Sequence, residues 1–180
     1  LDEETSKMIF SCNICSLCAA VCPEDLDTGK MLLEARRHYV EQTGGALKVH
    51  KPIVNYWKVG VNKWFSHVMP PPGRQKAKAL FFTGCGLPRV APELTVEIYN
   101  QLRRHYPDTG VIQLCCGAPV ELIGMEEESA FNKKMIVDMM DSVGAEELWA
   151  ACPDCLDDLT HGLPDVPKTT IWDKLAPVWE

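Results

Sequence analysis

A chain of 180 residues, 46% of them hydrophobic, can bury one core of ordinary domain size with a small module appended. Nine cysteines, an odd number, behind an opening LDEETSKMIFS too acidic for a secretory leader, argue against a disulfide framework and for metal binding in a reducing cytoplasm. No apolar run approaches the roughly 18 residues of a membrane-spanning helix, so the chain reads as soluble and cytoplasmic.

In chain order, residues 5–42 read as helix, cysteine-bearing turns and a second helix, GKMLLEARRHYVEQTGG, with Met31, Leu32, Ala35 and Tyr39 on one face and Gly44–Gly45 closing it. The net charge of −7 is unevenly spread. Gln42 to Pro92 holds no Asp or Glu but carries Lys48, Lys51, Lys58, Lys63, Arg74, Lys76, Lys78 and Arg89, and acids dominate from Glu93 onward. Residues 46–73, with Trp57, Trp64, Phe65 and the breaker run Met69 to Gly73, read as a basic aromatic linker. Strands then alternate with helices. Ala77–Thr83 is a strand ending at Gly84 and Cys85, Pro92–Tyr106 an amphipathic helix, and Val111–Leu114 a short strand ending at Cys115, Cys116 and Gly117. Glu126–Val143 is a helix, Glu146–Ala151 a strand ending at Cys152, Pro153–Thr160 the start of a helix, and Thr169–Trp172 a last strand. This order predicts an α/β fold with a mainly parallel sheet, whose sites lie beyond the carboxyl ends of the strands, where all the later cysteines fall.

The first cysteine constellation, Cys12, Cys15, Cys18 and Cys22 followed by Pro23, is spaced C-x2-C-x2-C-x3-C-P, the run by which bacterial-type ferredoxins hold [4Fe-4S] clusters. Two-residue gaps let successive thiolates converge on one cubane from a tight turn whose backbone N–H groups donate to the sulfides. A zinc site or free structural cysteines are the plainer alternatives, but neither needs this close triple. In two-cluster ferredoxins the fourth cysteine of such a run serves the other cluster. Either Cys22 completes this cluster itself, or a second run lies before Leu1 or on a partner; the first option leaves no ligand short.

The remaining cysteines, Cys85, Cys115, Cys116, Cys152 and Cys155, are arranged as C-x29-CCG-x34-CPDC. This pattern resembles the cysteine-rich CCG domain of heterodisulfide reductases, of an iron–sulfur subunit of glycerol-3-phosphate dehydrogenase and of lactate-utilisation iron–sulfur proteins. The resemblance, with the ferredoxin-type module before it, covers most of the chain. It implies that Cys85, Cys115, Cys116, Cys152 and Cys155 hold a non-cubane [4Fe-4S] cluster, with one bridging thiolate, of the kind that binds and cleaves a disulfide. Gly117 beside the pair suits a close backbone approach. The other readings are zinc held by four of the five thiols, and a structural or thiol–disulfide role. The first gap is slightly shorter than in the best-known members. One CCG set stands here where disulfide-cleaving subunits carry two, so a complete disulfide site calls for a second copy or a partner chain.

The aromatics interleaved with lysines match a nucleic-acid surface in composition, but no recognition motif supports one, and no nucleic-acid partner is expected. A docking strip for an acidic partner, or for the acidic half of another copy in a homo-oligomer, and a solvated connector are the competing readings of that stretch. His38, His50, His67, His105 and His161 are scattered and read as surface or capping residues, His161 being nearest to an outer contact of the later cysteines. Glu126, Glu127 and Glu128 suit the positive end of a helix. Gly84, Gly86 and Gly117 make no nucleotide fingerprint, so flavin or nicotinamide chemistry belongs to another chain.

The sequence thus predicts a helical [4Fe-4S] ferredoxin-type module over 1–45, the linker 46–73 and an α/β CCG domain over 74–180. The expected function is an electron-transfer subunit of a heterodisulfide-reductase-like oxidoreductase, taking electrons at the cubane and passing them to the CCG cluster, possible thiol or disulfide ligand included. Its expected partners are flavoprotein, ferredoxin-like or hydrogenase- or dehydrogenase-type subunits. The alternative is an adaptor whose CCG domain binds structural zinc and docks a larger redox complex.

Overall fold

Three helices, α1 (Glu3–Phe10), α2 (Leu17–Val21) and α3 (Thr28–Thr43), frame the cysteine-bearing start of the chain. The computed structural model describes residues 3–178 and separates into two units, Leu1–Tyr56 with Pro119–Ser129 and Trp57–Ala118 with Ala130–Glu180. In the first unit Asp27 caps α3 by accepting from the Lys30 N–H at 3.1 Å, and Gly44, at φ 71°, closes it.

The inner face of α3 differs from the apolar stripe expected of it. Met31 is exposed, and the side chain buried mid-helix is Arg36. The physical reason lies in the last turn of α1, whose carbonyls need donors. Arg36 supplies them: its Nε and Nη2 donate to the Ile9 carbonyl at 3.1 and 3.0 Å, and further N–H groups reach the carbonyls of Cys12 and Leu122. The guanidinium lies 5.1 Å from the centre of the Phe10 ring, which also meets Tyr39 edge-on. His50, expected on the surface or as a cap, is instead a half-buried ring 4.9 Å from Phe10, and burial, then the Arg36 charge, holds its pKa below the usual histidine value.

The second unit is organised by a five-stranded sheet in the order β1-β3-β2-β4-β5. Its strands are β1 (His67–Met69), β2 (Ala79–Phe82), β3 (Thr109–Gln113), β4 (Glu147–Ala150) and β5 (Lys168–Thr170). All neighbours pair in parallel except β1, an edge strand that runs antiparallel to β3 with His67 opposite Gln113. The central strand β2, ALFF, is buried along its whole length, the pattern of a parallel strand covered on both faces. Its side chains alternate between two cores. Leu80 and Phe82 join Ile112, Leu148 and the helix residues Ile136, Met140 and Leu159 on one face. Ala79 and Phe81 join Trp149, Ile98, Leu102, Ile171 and Leu175 on the other.

The helices explain these faces. Residues 46–73, read as a linker, carry a 3-10 turn (Lys48–His50), helix α4 (Lys51–Gly60) and β1. After β2 come a short α5 (Leu87–Val90) and then α6 (Pro92–His105), which contributes Ile98 and Leu102 to one side of the sheet. After β3 come a short α7 (Ala118–Glu121) and then α8 (Glu126–Val143), which contributes Ile136 and Met140 to the opposite side. Helix α9 (Pro153–Gly162) lies with α8, and α10 (Ile171–Leu175) with α6. The chain therefore leaves β2 in one direction for β3 and returns past it to β4. Such a reversal opens a crevice at the carboxyl ends of the strands. No helix among the described residues is long and apolar enough to cross a membrane.

Candidate functional site

The later cysteines sit at that crevice. Cys85 follows β2 by way of Thr83 and Gly84, Cys115 and Cys116 follow β3 by way of Leu114, Cys152 follows β4 by way of Ala151, and Cys155 lies in the first turn of α9. Cys115, Cys116 and Cys155 are buried, and Cys85 and Cys152 are half-buried. Each thiol lies close enough to perturb the next, in a single file: Cys85, Cys115, Cys116, Cys155, Cys152.

From Cys115 to Cys152 the preference for thiol or thiolate alternates. Cys116 is held well below the ordinary thiol range by hydrogen bonds from Cys115 and Cys155, with the Ala118 N–H and the Lys133 ammonium helping against burial. Cys152 is brought down to about 6, first by the Cys155 thiol and then by the N–H groups of Cys155 and Asp154 at the start of α9. Cys115 and Cys155 are pushed up, first by their hydrogen bonds to the Cys116 sulfur, then by their outer neighbours and by burial. Without a cation, thiolates this close cannot all ionise. A cationic centre removes that conflict, and the donor set, five soft sulfurs with N–H groups aimed at two of them, fits an iron–sulfur cluster. The file is not a closed cage: among the described residues no group of three or more His, Cys, Asp or Glu side chains is placed to hold a metal ion as it stands.

Four residues outside the motif build this site. Gly60, the last residue of α4, accepts from the Cys115 N–H at 2.9 Å, and a Cβ there would come within 2.8 Å of the Cys115 Cβ and 3.6 Å of the Cys85 Cβ. One turn earlier on α4, the Trp57 indole N–H donates to Asn132 Oδ1, and Asn132 Nδ2 in turn donates to the Cys115 carbonyl at 2.7 Å. The next residue, Lys133, donates to the Cys116 carbonyl at 3.0 Å. Gly117 has φ +110°, and a Cβ there would stand 3.2 Å from both Asn132 and Lys133. That position demands glycine twice over. Sequence reasoning singled out Gly117 alone. Trp57 and Gly60 stand in the stretch read as a linker, and Asn132 and Lys133 look like ordinary polar helix residues; the one signal present was a Trp and a Gly spaced three apart on an otherwise basic segment.

The first constellation, in the other unit, is different. Cys12 and Cys22 are half-buried, and Cys15 and Cys18 are exposed on the turn before α2 and on α2 itself. The turn is made by two non-glycine residues in the left-handed region, Ile14 at φ 53° and Ser16 at φ 56°. A β-branched residue there is a genuine outlier, and such strain, of order 1–3 kcal/mol each, persists at ligand-binding turns. The Ile14 N–H donates to Cys12 Sγ at 3.3 Å, the type of N–H to sulfur bond that steadies a ligating thiolate. The spacing, the N–H to sulfur bond and the sulfur-only donor set fit a cluster, although the thiols are not gathered around one point. His161 is exposed, its Nδ1 2.9 Å from the Asp157 carbonyl of its own helix.

Residues 79–160 match the family described as the cysteine-rich domain, CCG. That segment is a cysteine-rich CCG domain. It holds all five later cysteines, the crevice and the Asn132–Lys133 pair. Among curated proteins, the chain is similar to one subunit of the fumarate reductase (CoM/CoB) of Methanothermobacter marburgensis, 26% identical over 119 residues. The match covers 62% of this chain and only 24% of that relative, so the chain spans about a quarter of the relative's length. No solved structure matches.

Proposed function

We propose that this chain is an iron–sulfur electron-transfer subunit of an oxidoreductase complex of the heterodisulfide-reductase type. In this reading Cys12, Cys15, Cys18 and Cys22 hold a [4Fe-4S] cubane on the electron-entry side, and Cys85, Cys115, Cys116, Cys152 and Cys155 hold a second, non-cubane cluster in the CCG domain. The observation that carries it is the file of five sulfurs at the strand-end crevice. An extended row of five donors suits a multi-iron cluster, whereas one tetrahedral zinc leaves a buried thiol over. Likeness to part of a fumarate reductase supports work alongside redox partners, with any flavin or nicotinamide on another chain.

When bound, such clusters supply one-electron transfer at potentials set by charge, hydrogen bonding and exposure. The chain's own residues set those conditions. Gly60, Asn132 and Lys133 fix the backbone on both sides of Cys115 and Cys116, and the N–H groups of Ala118, Asp154 and Cys155 favour thiolate. Cleaving a disulfide takes two electrons, and this chain contains a single CCG set. A disulfide substrate would therefore be completed by a second copy or a partner.

Metal analysis of protein purified without oxygen, in a reducing buffer, tests the reading. It expects about eight irons per chain and no zinc. About four irons with one zinc would replace it with the adaptor reading, a cubane beside a structural zinc.

A further inference from the structure

Helix α8 presents two adjacent polar residues to two adjacent ligands: Asn132 to the Cys115 carbonyl at 2.7 Å and Lys133 to the Cys116 carbonyl at 3.0 Å. Asn132 is fully buried and is itself held by the Trp57 indole, which accounts for a structural role. Lys133 asks for more. Its side chain is 11% exposed and its ammonium pairs with Asp158, whose side chain is 9% exposed. Burying an ammonium and a carboxylate is costly, and two apolar residues of similar size are often as stable or more so. Stability alone does not explain the pair.

The surroundings are shaped for this lysine. Asp158 and Gly162 are one turn apart on the same face of α9. A Cβ at Gly162 would overlap Lys133 Cε, and one at Gly117 would come within 3.2 Å of Lys133 Nζ. Two glycines thus leave room for the lysine stem, and one carboxylate fixes its tip against the cysteine pair. The first unit buries its cation, Arg36, in a different way, spread over backbone carbonyls.

We infer that Lys133 and Asp158 form a buried charge couple that positions the Cys116 peptide and sets the reduction potential of the cluster held by the CCG cysteines. The inference rests on the two-cluster reading above. A positive charge fixed beside a cluster favours the reduced, more negative state, and a fixed carboxylate opposes it. The two members of the couple therefore act in opposite directions.

The experiment is a redox titration, followed by electron paramagnetic resonance, of the anaerobically purified full chain and of the variants Lys133→Met, Asp158→Asn and the double variant. Lys133→Met should lower the potential of the second cluster, Asp158→Asn should raise it, and the double variant should return toward the parent value. The cubane signal serves as the internal reference and should not move. Shifts of the same sign in both single variants, or no shift in either, would overturn the inference while leaving the two-cluster reading intact, because a merely structural couple has no reason to move the potential in opposite senses. Loss of the second signal in Lys133→Met alone leaves Asp158→Asn to decide, and an unchanged or lowered potential there overturns it. A parent protein with zinc in place of the second cluster overturns both, and iron and zinc counts on the same samples tell that outcome apart.

Discussion

Between Cys12 and Cys22 all four thiols belong to one short stretch of chain, two of them exposed, whereas the CCG thiols come from the ends of three strands and the start of a helix and are mostly buried. The first region concentrates its specificity in local backbone: a turn with Ile14 and Ser16 in the left-handed region and one arginine tying α1, the turn and α3 together. The second spreads it across the fold: Gly60 from α4, Asn132 and Lys133 from α8, and Ala118 behind Cys116. A locally built site should tolerate changes elsewhere in the chain and fail with its own turn. A site assembled from distant elements should respond to residues far from it in sequence.

The largest effect is expected from ligand removal, which tests whether the two regions are independent. On the proposed two-cluster reading, Cys116→Ser should remove about four irons and leave the cubane signal, and Cys15→Ser should do the reverse. If either variant loses both clusters, the regions are coupled and the comparison fails. Next comes Arg36→Leu. It strips the donors from the carbonyls of Ile9, Cys12 and Leu122, and leaving the buried Ile9 carbonyl unpaired costs about 1–3 kcal/mol. The expected outcome is a less stable first unit and faster cubane loss, read by chemical denaturation and by bleaching of the visible absorbance, with the second cluster unaffected.

Gly60→Ala is the counterpart in the second region. Its methyl would sit 2.8 Å from the Cys115 Cβ, and overpacking of this kind typically costs about 1–3 kcal/mol. Iron content at the CCG site should fall while the cubane persists. An alanine variant with full iron and unchanged stability would show that α4 only lies near the site and does not shape it.

These contrasts also account for what could be read from the sequence. The α/β alternation was legible because ALFF, the helix of 126–143 and the segment ELWA have distinct periods and clear ends, and the structure places β2, α8 and β4 there. The positions of Cys85, Cys115 and Cys152 after strands followed directly. Strand β1 was not legible, since three residues with one half-buried side chain carry no alternation to detect. Helix α4 was hidden because its buried face is Trp57 and Gly60 alone, set among lysines that read as solvated. Arg36 and Lys133 were missed for a common reason: composition marks a basic residue in a helix as surface, and only tertiary contacts show the carbonyls that hold it inside.

The smallest predicted effect probes the local character of the first turn. Ser16 is exposed, stands before α2 without a side-chain capping hydrogen bond, and has φ 56°, so its side chain contributes no contact that glycine would lose. The left-handed region costs a non-glycine residue roughly 1–2 kcal/mol, and glycine gives part of that back through its greater freedom when unfolded. Ser16→Gly should therefore stabilise the cluster-free protein by at most about 1 kcal/mol, seen as a small rise in the urea midpoint. In the proposed cluster-loaded protein the gain should be larger, because ligation by Cys15 and Cys18 on either side would hold residue 16 at this strained φ. An equal gain with and without the cluster would mean that ligation contributes nothing to holding this turn, and the first site would then owe its geometry to the packing of its helices.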